Sequence, residues 1–182
     1  MTAAAITLRL AGPEDARAIA MMSRDLIEAG LGWKYDPARI ARAIADADTT
    51  VLVAREREDR DPRSRAGSEG GVAGFAIMHF GEERAHLVLL AVRPEFRRAG
   101  LGRRMLDWLA DSALTAGIAS MHLELRENNT AARAFYRAQG FTDTVRVPGY
   151  YAGKEPALRM IRVLRAAGPL PAGWQPPPPE RH

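Results

Sequence analysis

The stretch Val92-Arg-Pro-Glu-Phe-Arg97-Arg98-Ala99-Gly100-Leu101-Gly102-Arg103-Arg104-Met105-Leu106 sets a glycine turn, flanked by arginines, between an apolar run and an amphipathic pattern. Upstream, His86 to Val92 is almost continuously apolar with β-branched members, which reads as a buried strand. Downstream, Leu101, Met105, Trp108 and Leu109 recur at helical spacing and predict a core-facing helix that stops at Gly117. Gly100 and Gly102 let the main chain turn tightly and approach a ligand without a Cβ in the way, so that the amides of the helix start converge on an anion. Arg97, Arg98 and Arg103 add positive charge at the same point. On spacing alone the turn reads equally well as an anion cradle or as an ordinary connection with its arginines in water.

Working outward, Ile6 to Leu10 alternates as a half-buried strand, and the Gly12-Pro13 turn opens a helix expected from about Pro13 to Ala29. Asp36-Pro37 starts a second helix, and Thr49 to Ala54 is a strand. Arg55 to Gly71 is charged and rich in Gly, Ser and Pro, with little apolar surface to offset its ordering entropy, and is expected to be a mobile surface loop. Val72–Phe80 and Ala85–Val92 predict neighbouring strands joined around Gly81 to Arg84. Ser120 to Leu125 alternates, with Met121, Leu123 and Leu125 on one face and His122, Glu124 and Arg126 on the other. Asn128-Asn129-Thr130 caps a helix over Ala131–Gln139, and Gly140 ends it. Phe141–Val147 and Ala157–Leu164 close the chain as strands. The order predicts a single-domain α/β fold over residues 1–165, with helices as crossovers, followed by a proline-rich disordered tail at 166–182.

The chain has 182 residues, enough for one domain with a substantial core, and a net charge of +4. The basic residues are almost all arginine and alanine is abundant, which points to a coding bias, so a nucleic-acid surface is not expected from the charge. The absence of cysteine excludes disulfides, thiolate metal sites and cysteine nucleophiles. His79, His86, His122 and His182 show no metal-ligand spacing, and no metal is expected. No apolar stretch reaches membrane-span length and the start does not read as a signal peptide, so a cytoplasmic location without a membrane partner is expected.

A P-loop is excluded because no lysine and hydroxyl follow the glycines, and the third glycine of a dinucleotide turn is missing. About twenty residues on comes Leu123-Glu124-Leu-Arg-Glu-Asn-Asn129-Thr-Ala-Ala-Arg-Ala-Phe135-Tyr136-Arg-Ala-Gln-Gly140-Phe141. Arg97-x-x-Gly100-x-Gly102 followed by this segment resembles the GCN5-related N-acetyltransferase (GNAT) superfamily over residues 6–164, apart from a longer 55–71 loop. With Gly149-Tyr150-Tyr151 and Glu155, it looks most like the ribosomal-protein-alanine N-acetyltransferase branch. The resemblance implies a mixed, mostly antiparallel sheet of six to seven strands, about four flanking helices, and central strands that splay to admit acetyl-CoA. It implies that Leu90, Ala91 and Val92 bind the pantetheine arm as an added strand and that Arg97, Arg98, Ala99, Gly100, Leu101, Gly102 and Arg103 cradle the pyrophosphate. The same resemblance implies that Asn129 contacts the pantetheine or its phosphate side and that Tyr136 sits beside the thioester sulfur.

Amide formation from a thioester needs a neutral amine, a donor to the oxyanion and a proton for the thiolate. Glu124 is the candidate base, with pairing to Arg126 or to a neighbouring strand as its purely structural alternative. Tyr136 is the candidate acid, and a main-chain N–H near Val92 the candidate oxyanion donor. Glu82, Glu83 and His86 are rival bases, whereas His79 and His122 read as structural. Trp33, Tyr35, Tyr150 and Tyr151 border the acceptor side, with rim or core packing preferred for Trp33. The acceptor expected is a protein N-terminal α-amine; a small amine and a non-catalytic CoA-binding module are the alternatives. A homodimer is compatible with the sequence.

Overall fold

A computed structural model describes residues 6–56 and 71–165. These form β1 (Ile6–Leu10), α1 (Ala16–Leu26), α2 (Pro37–Ala45), β2 (Thr49–Glu56), β3 (Val72–Phe80), β4 (Arg84–Val92), α3 (Leu101–Thr115), β5 (Ser120–Arg126), α4 (Thr130–Ala138), β6 (Thr142–Tyr151) and β7 (Glu155–Val163). The strands make one seven-stranded sheet in the order β1-β2-β3-β4-β5-β7-β6. Every pairing is antiparallel except that of β4 with β5, which α3 connects as a crossover. This is the α/β architecture expected from the sequence.

The sheet is covered on both faces. On one, Leu101, Met105, Leu106 and Leu109 of α3 and Tyr136 of α4 pack on Ala85, Leu87, Met121 and Leu123. On the other, Ile19 and Met22 of α1 and Ile40 of α2 pack on Val53, Phe75 and Ile77. The register between β3 and β4 slips so that Val88 is an extra residue in β4. As a result Ala85 and Leu87 face α3, whereas Leu89 and Ala91 face α1 and α2.

Several boundaries differ from the sequence reading. The first helix is a single 3₁₀ turn at Pro13–Asp15 continued by α1, which ends at Leu26 rather than Ala29. Arg55 and Glu56 belong to β2, opposite Thr7 and Ile6, and not to a loop. Arg55 and Arg9 reach the fully buried Asp15 at 2.6 and 2.7 Å, and the Gly12 amide donates to the same carboxylate at 2.8 Å, so Asp15 ties β1, β2 and the entry to α1 together. Trp108 does not face the core; it is 36% exposed, and Leu106 and Ala110 take the inner face. Residues 57–70 and the tail at 166–182 lie outside the described residues.

Candidate active site

Strands β4 and β5 pair only over Arg84–His86 and Ser120–His122. Beyond that point β4 continues along β3 while β5 follows β7, so the facing edges of Val88–Val92 and Leu123–Arg126 have no strand partner. Main-chain donors and acceptors at an open sheet edge are a template for an extended ligand, and Leu90, Ala91 and Val92 line this slot. The Val92 carbonyl already accepts from Arg97 Nε at 2.9 Å.

At the C-terminal end of β4 a 3₁₀ turn at Pro94–Phe96 leads into α3. Gly100 caps the helix at φ 77°, a left-handed conformation suited to glycine. The first helical bond runs from the Arg104 amide to the Gly100 carbonyl, which leaves the amides of Leu101, Gly102 and Arg103 free of intrahelical acceptors. A Cβ at Gly102 would come to 3.4 Å from the Phe135 ring, an ordinary contact distance. Of the three arginines, Arg97 is engaged with Val92 and Arg103 with Asp107 at 3.5 Å. Arg98, exposed and at φ 65°, has no protein partner among the described residues.

Glu124 does not pair with Arg126. Its side chain, only 4% exposed, accepts from Arg159 Nε at 2.7 Å and stands 2.7 Å from His86 Nε2, with the Tyr150 hydroxyl at 3.4 Å. Burial alone raises the pKa of a carboxyl, but the bonds from His86 and Arg159 outweigh it and hold that of Glu124 at about 2. The His122 ring stacks on His86 at 4.5 Å and 6°. Arg126 instead donates to the carbonyls of Ala29 and Ile27 and approaches Glu155 at 3.4 Å, fastening the segment after α1 beside the slot. From inside that segment the buried Glu28 accepts from Ser23 and from the Lys34 and Tyr35 amides. Glu28, Arg126 and Arg159 were not singled out as site residues from sequence, because a charged residue carries no local signal for a partner that only tertiary pairing supplies.

Tyr136 approaches from the opposite face, packed edge-on against Phe135 and Phe141. Burial, with Tyr151 nearby, raises its phenol above the usual range, which keeps the proton on. Asn129 caps α4, its Oδ1 accepting from the Ala132 amide at 3.1 Å, which commits that oxygen to the helix. Glu82 and Glu83 are exposed in the β3–β4 turn. Glu83 precedes His86 by three residues, about 10 Å of extended chain. Tyr35, Tyr150 and Tyr151 are half-buried or exposed on the Glu124 side, and Trp33 is a rim residue, 42% exposed, its ring under Arg24.

His86, His122 and Glu124 bring three metal-capable atoms within 4.8 Å of one another. Both Glu124 oxygens are already engaged by His86 and Arg159, and the Arg159 guanidinium neutralises the carboxylate, whereas His122 only stacks on His86 and keeps a buried Nδ1 without a partner.

The model of the acetyltransferase (GNAT) family matches residues 29–141. The chain belongs to this family. Among GNAT relatives, the [ribosomal protein bS18]-alanine N-acetyltransferase of Escherichia coli K12 is 38% identical over 94 residues, 50% of this chain. That match spans 64% of the relative's length. The crystal structure of the Escherichia coli ribosomal-protein-S18-alanine N-acetyltransferase superposes with a TM-score of 0.71 at 26% identity, covering 90% of this chain and 97% of that one. Arabidopsis thaliana NAA60 in complex with acetyl-CoA shares the fold, with a TM-score of 0.72 at 15% identity over 87% of this chain and 98% of that one. The splayed strands, the arginine turn and the capped α4 are thus a GNAT framework.

Proposed function

We propose that this GNAT chain is an acetyl-CoA-dependent N-acetyltransferase of the cytoplasm, that residues 1–165 form its transferase unit, and that its acceptor is a protein N-terminal α-amine. The single observation that carries the reading is the slot between β4 and β5. It has an anion-binding turn at one end, a carboxylate on one face and a protonated phenol on the other. Acetyl-CoA brings the activated acetyl group as a thioester. The α3 amides and Arg98 hold its pyrophosphate, and the open edge of Leu90–Val92 aligns the pantetheine arm and offers an N–H to the oxyanion. The aromatic rim of Tyr35, Tyr150 and Tyr151 and the relatives' own substrates favour a peptide N-terminus over a small amine.

Glu124 is ionised throughout the neutral range, so it attracts the incoming ammonium and accepts its proton. An α-amine titrates near about 7.7–8, against about 10.4 for a lysine, so modest help suffices. Tyr136, its proton held by burial, supplies the departing thiolate. Thiol release from acetyl-CoA is measured against a panel of N-terminal peptides and small amines. Glu124→Gln and Tyr136→Phe are each expected to lower kcat by about 100-fold while acetyl-CoA affinity stays unchanged. Full turnover in both variants removes these assignments, and turnover of small amines alone removes the N-terminal acceptor.

A further inference from the structure

A peptide whose amine meets Glu124 has to lead the rest of its chain away across the sheet. Glu124 and Val88 stand on opposite sides of the opening between β5 and β4, each two residues beyond the paired His122 and His86. Both lie on the α1 and α2 side. Past Val88 the next strand is β3, and there Ile77 and His79 share with Val88 the floor of an open hollow of about 350 Å³, walled by Tyr35, Arg39 and Arg42. Tyr35 is close enough to Tyr150 to bear on its phenol, and Tyr150 stands 3.4 Å from Glu124, so the hollow and the Glu124 site share a rim. Adjacent strands lie about 4.8 Å apart and an extended chain advances about 3.3 Å per residue. A peptide anchored over β5 therefore brings about its third or fourth residue over β3.

We propose that this hollow receives the acceptor peptide behind its N-terminal residue, and that Arg39 and Arg42 select an acidic side chain at the third or fourth position. Helix α2 reads Pro-Ala-Arg-Ile-Ala-Arg-Ala-Ile-Ala, so its charged residues are these two arginines alone, and both line the hollow. Three residues apart, they share a face of the helix. Neither forms an ion pair with a carboxylate among the described residues. The Arg39 guanidinium lies over the Tyr35 ring at 4.5 Å, which sets its plane and leaves its N–H edge toward the opening. Asp46, the carboxylate that also borders the hollow, is committed to the wall: its two oxygens accept from the Thr49 hydroxyl at 2.6 Å and from the Asp48 amide at 3.3 Å. His79 is held in the same wall by Thr49 at 3.2 Å. The hollow thus presents two guanidinium forks above an apolar floor of Ile77 and Val88, the surroundings that suit a carboxylate on a short methylene stem.

The inference rests on the reading of a protein N-terminus as acceptor, because a small amine at Glu124 is too short to reach β3. It adds a substrate class to that reading. The contact is remote from the reacting atoms and is made before and during the transfer alike, so its effect falls on KM. Both arginines are exposed, so the ion pair they offer is worth what partly solvated pairs are worth, about five-fold in affinity at low salt. An acceptor with lysine or arginine at the same position meets two like charges instead.

The test compares N-terminal peptides of one sequence that carry Glu, Gln or Lys at the third position and, in a second set, at the fourth. The full-length parent is expected to show a kcat/KM about five-fold higher for Glu than for Gln at one of these positions, and lower still for Lys, with the difference in KM and shrinking as salt is added. Arg39→Gln and Arg42→Gln are each expected to reduce the Glu-over-Gln ratio, and the pair Arg39→Glu with Arg42→Glu to turn the preference toward Lys. Each enzyme is compared with itself on two peptides, so a general loss of activity leaves the ratio unmoved. A parent that treats Glu, Gln and Lys alike at both positions overturns the proposal, and so does a ratio that survives replacement of both arginines by Gln. Should the double variants not fold, Arg42→Gln, which leaves the Arg39–Tyr35 contact in place, decides by the same ratio. A parent that acetylates small amines but no peptide removes the N-terminal acceptor and the acidic preference together, whereas a parent active on peptides and blind to their charge removes the preference alone.

Discussion

Arg98 sits at φ 65° in the turn before α3, a conformation that costs a side-chain-bearing residue about 1–2 kcal/mol. Strain kept at an exposed residue without a protein partner points to a ligand. Replacing Arg98 by Gly relieves the strain and removes the charge, so the two effects separate. Calorimetry should show a melting temperature unchanged or raised, and titration an acetyl-CoA affinity about ten-fold weaker, as expected for loss of one charged hydrogen bond of about 1.5 kcal/mol. The affinity gap should narrow as salt is added; a gap insensitive to salt removes the phosphate role. At the same scale, the closed bonding of Glu124 predicts that dialysis against EDTA leaves turnover unchanged, and a loss restored by Zn²⁺ would show that the His86, His122 and Glu124 set holds an ion.

Between elements, the acceptor side depends on how the chain after α1 is held against β5. Arg126 joins them by donating to the Ala29 and Ile27 carbonyls, with Tyr151 of β6 under its guanidinium at 5.8 Å. Arg126→Met keeps the stem and drops the donors. It is expected to raise the KM of the peptide acceptor several-fold at unchanged acetyl-CoA affinity, and a rise in acetyl-CoA Kd instead would place Arg126 on the donor side. The Val88 bulge works at this scale too. By turning Leu89 and Ala91 onto the α1 and α2 face, it presents Leu90 and Val92 on the α3 side.

For the whole molecule, Asp15 and Glu124, two carboxylates whose values the fold depresses, set the acid limit. Asp15 is raised by burial but lowered further by Arg9, the Gly12 amide and Arg55, and Glu124 falls from 4.5 to about 2. A group whose folded value is depressed stabilises the fold above its unfolded value and loses that contribution as pH falls through the folded one. Stability measured by denaturant titration should therefore hold above about pH 4.5 and drop steadily toward pH 2. Asp15→Asn should cost about 1–3 kcal/mol at neutral pH, because Arg9 and Arg55 lose a buried acceptor, and should flatten the acid slope. An acid slope identical to the parent's would remove Asp15 from that account.

The sequence by itself determined the element order, the strand–turn–helix around Gly100 and the polar face of β5, because periodicity and turn chemistry are local. It also determined the family, through two motifs whose spacing holds Gly100, Glu124, Asn129 and Tyr136. Only the tertiary structure decided that Trp108 faces water, that Arg55 belongs to a strand, and that Glu124 pairs with Arg159 and His86 rather than Arg126. Each of these depends on strand register between segments tens of residues apart, and a register is fixed by the packing of two faces at once, which no single segment encodes.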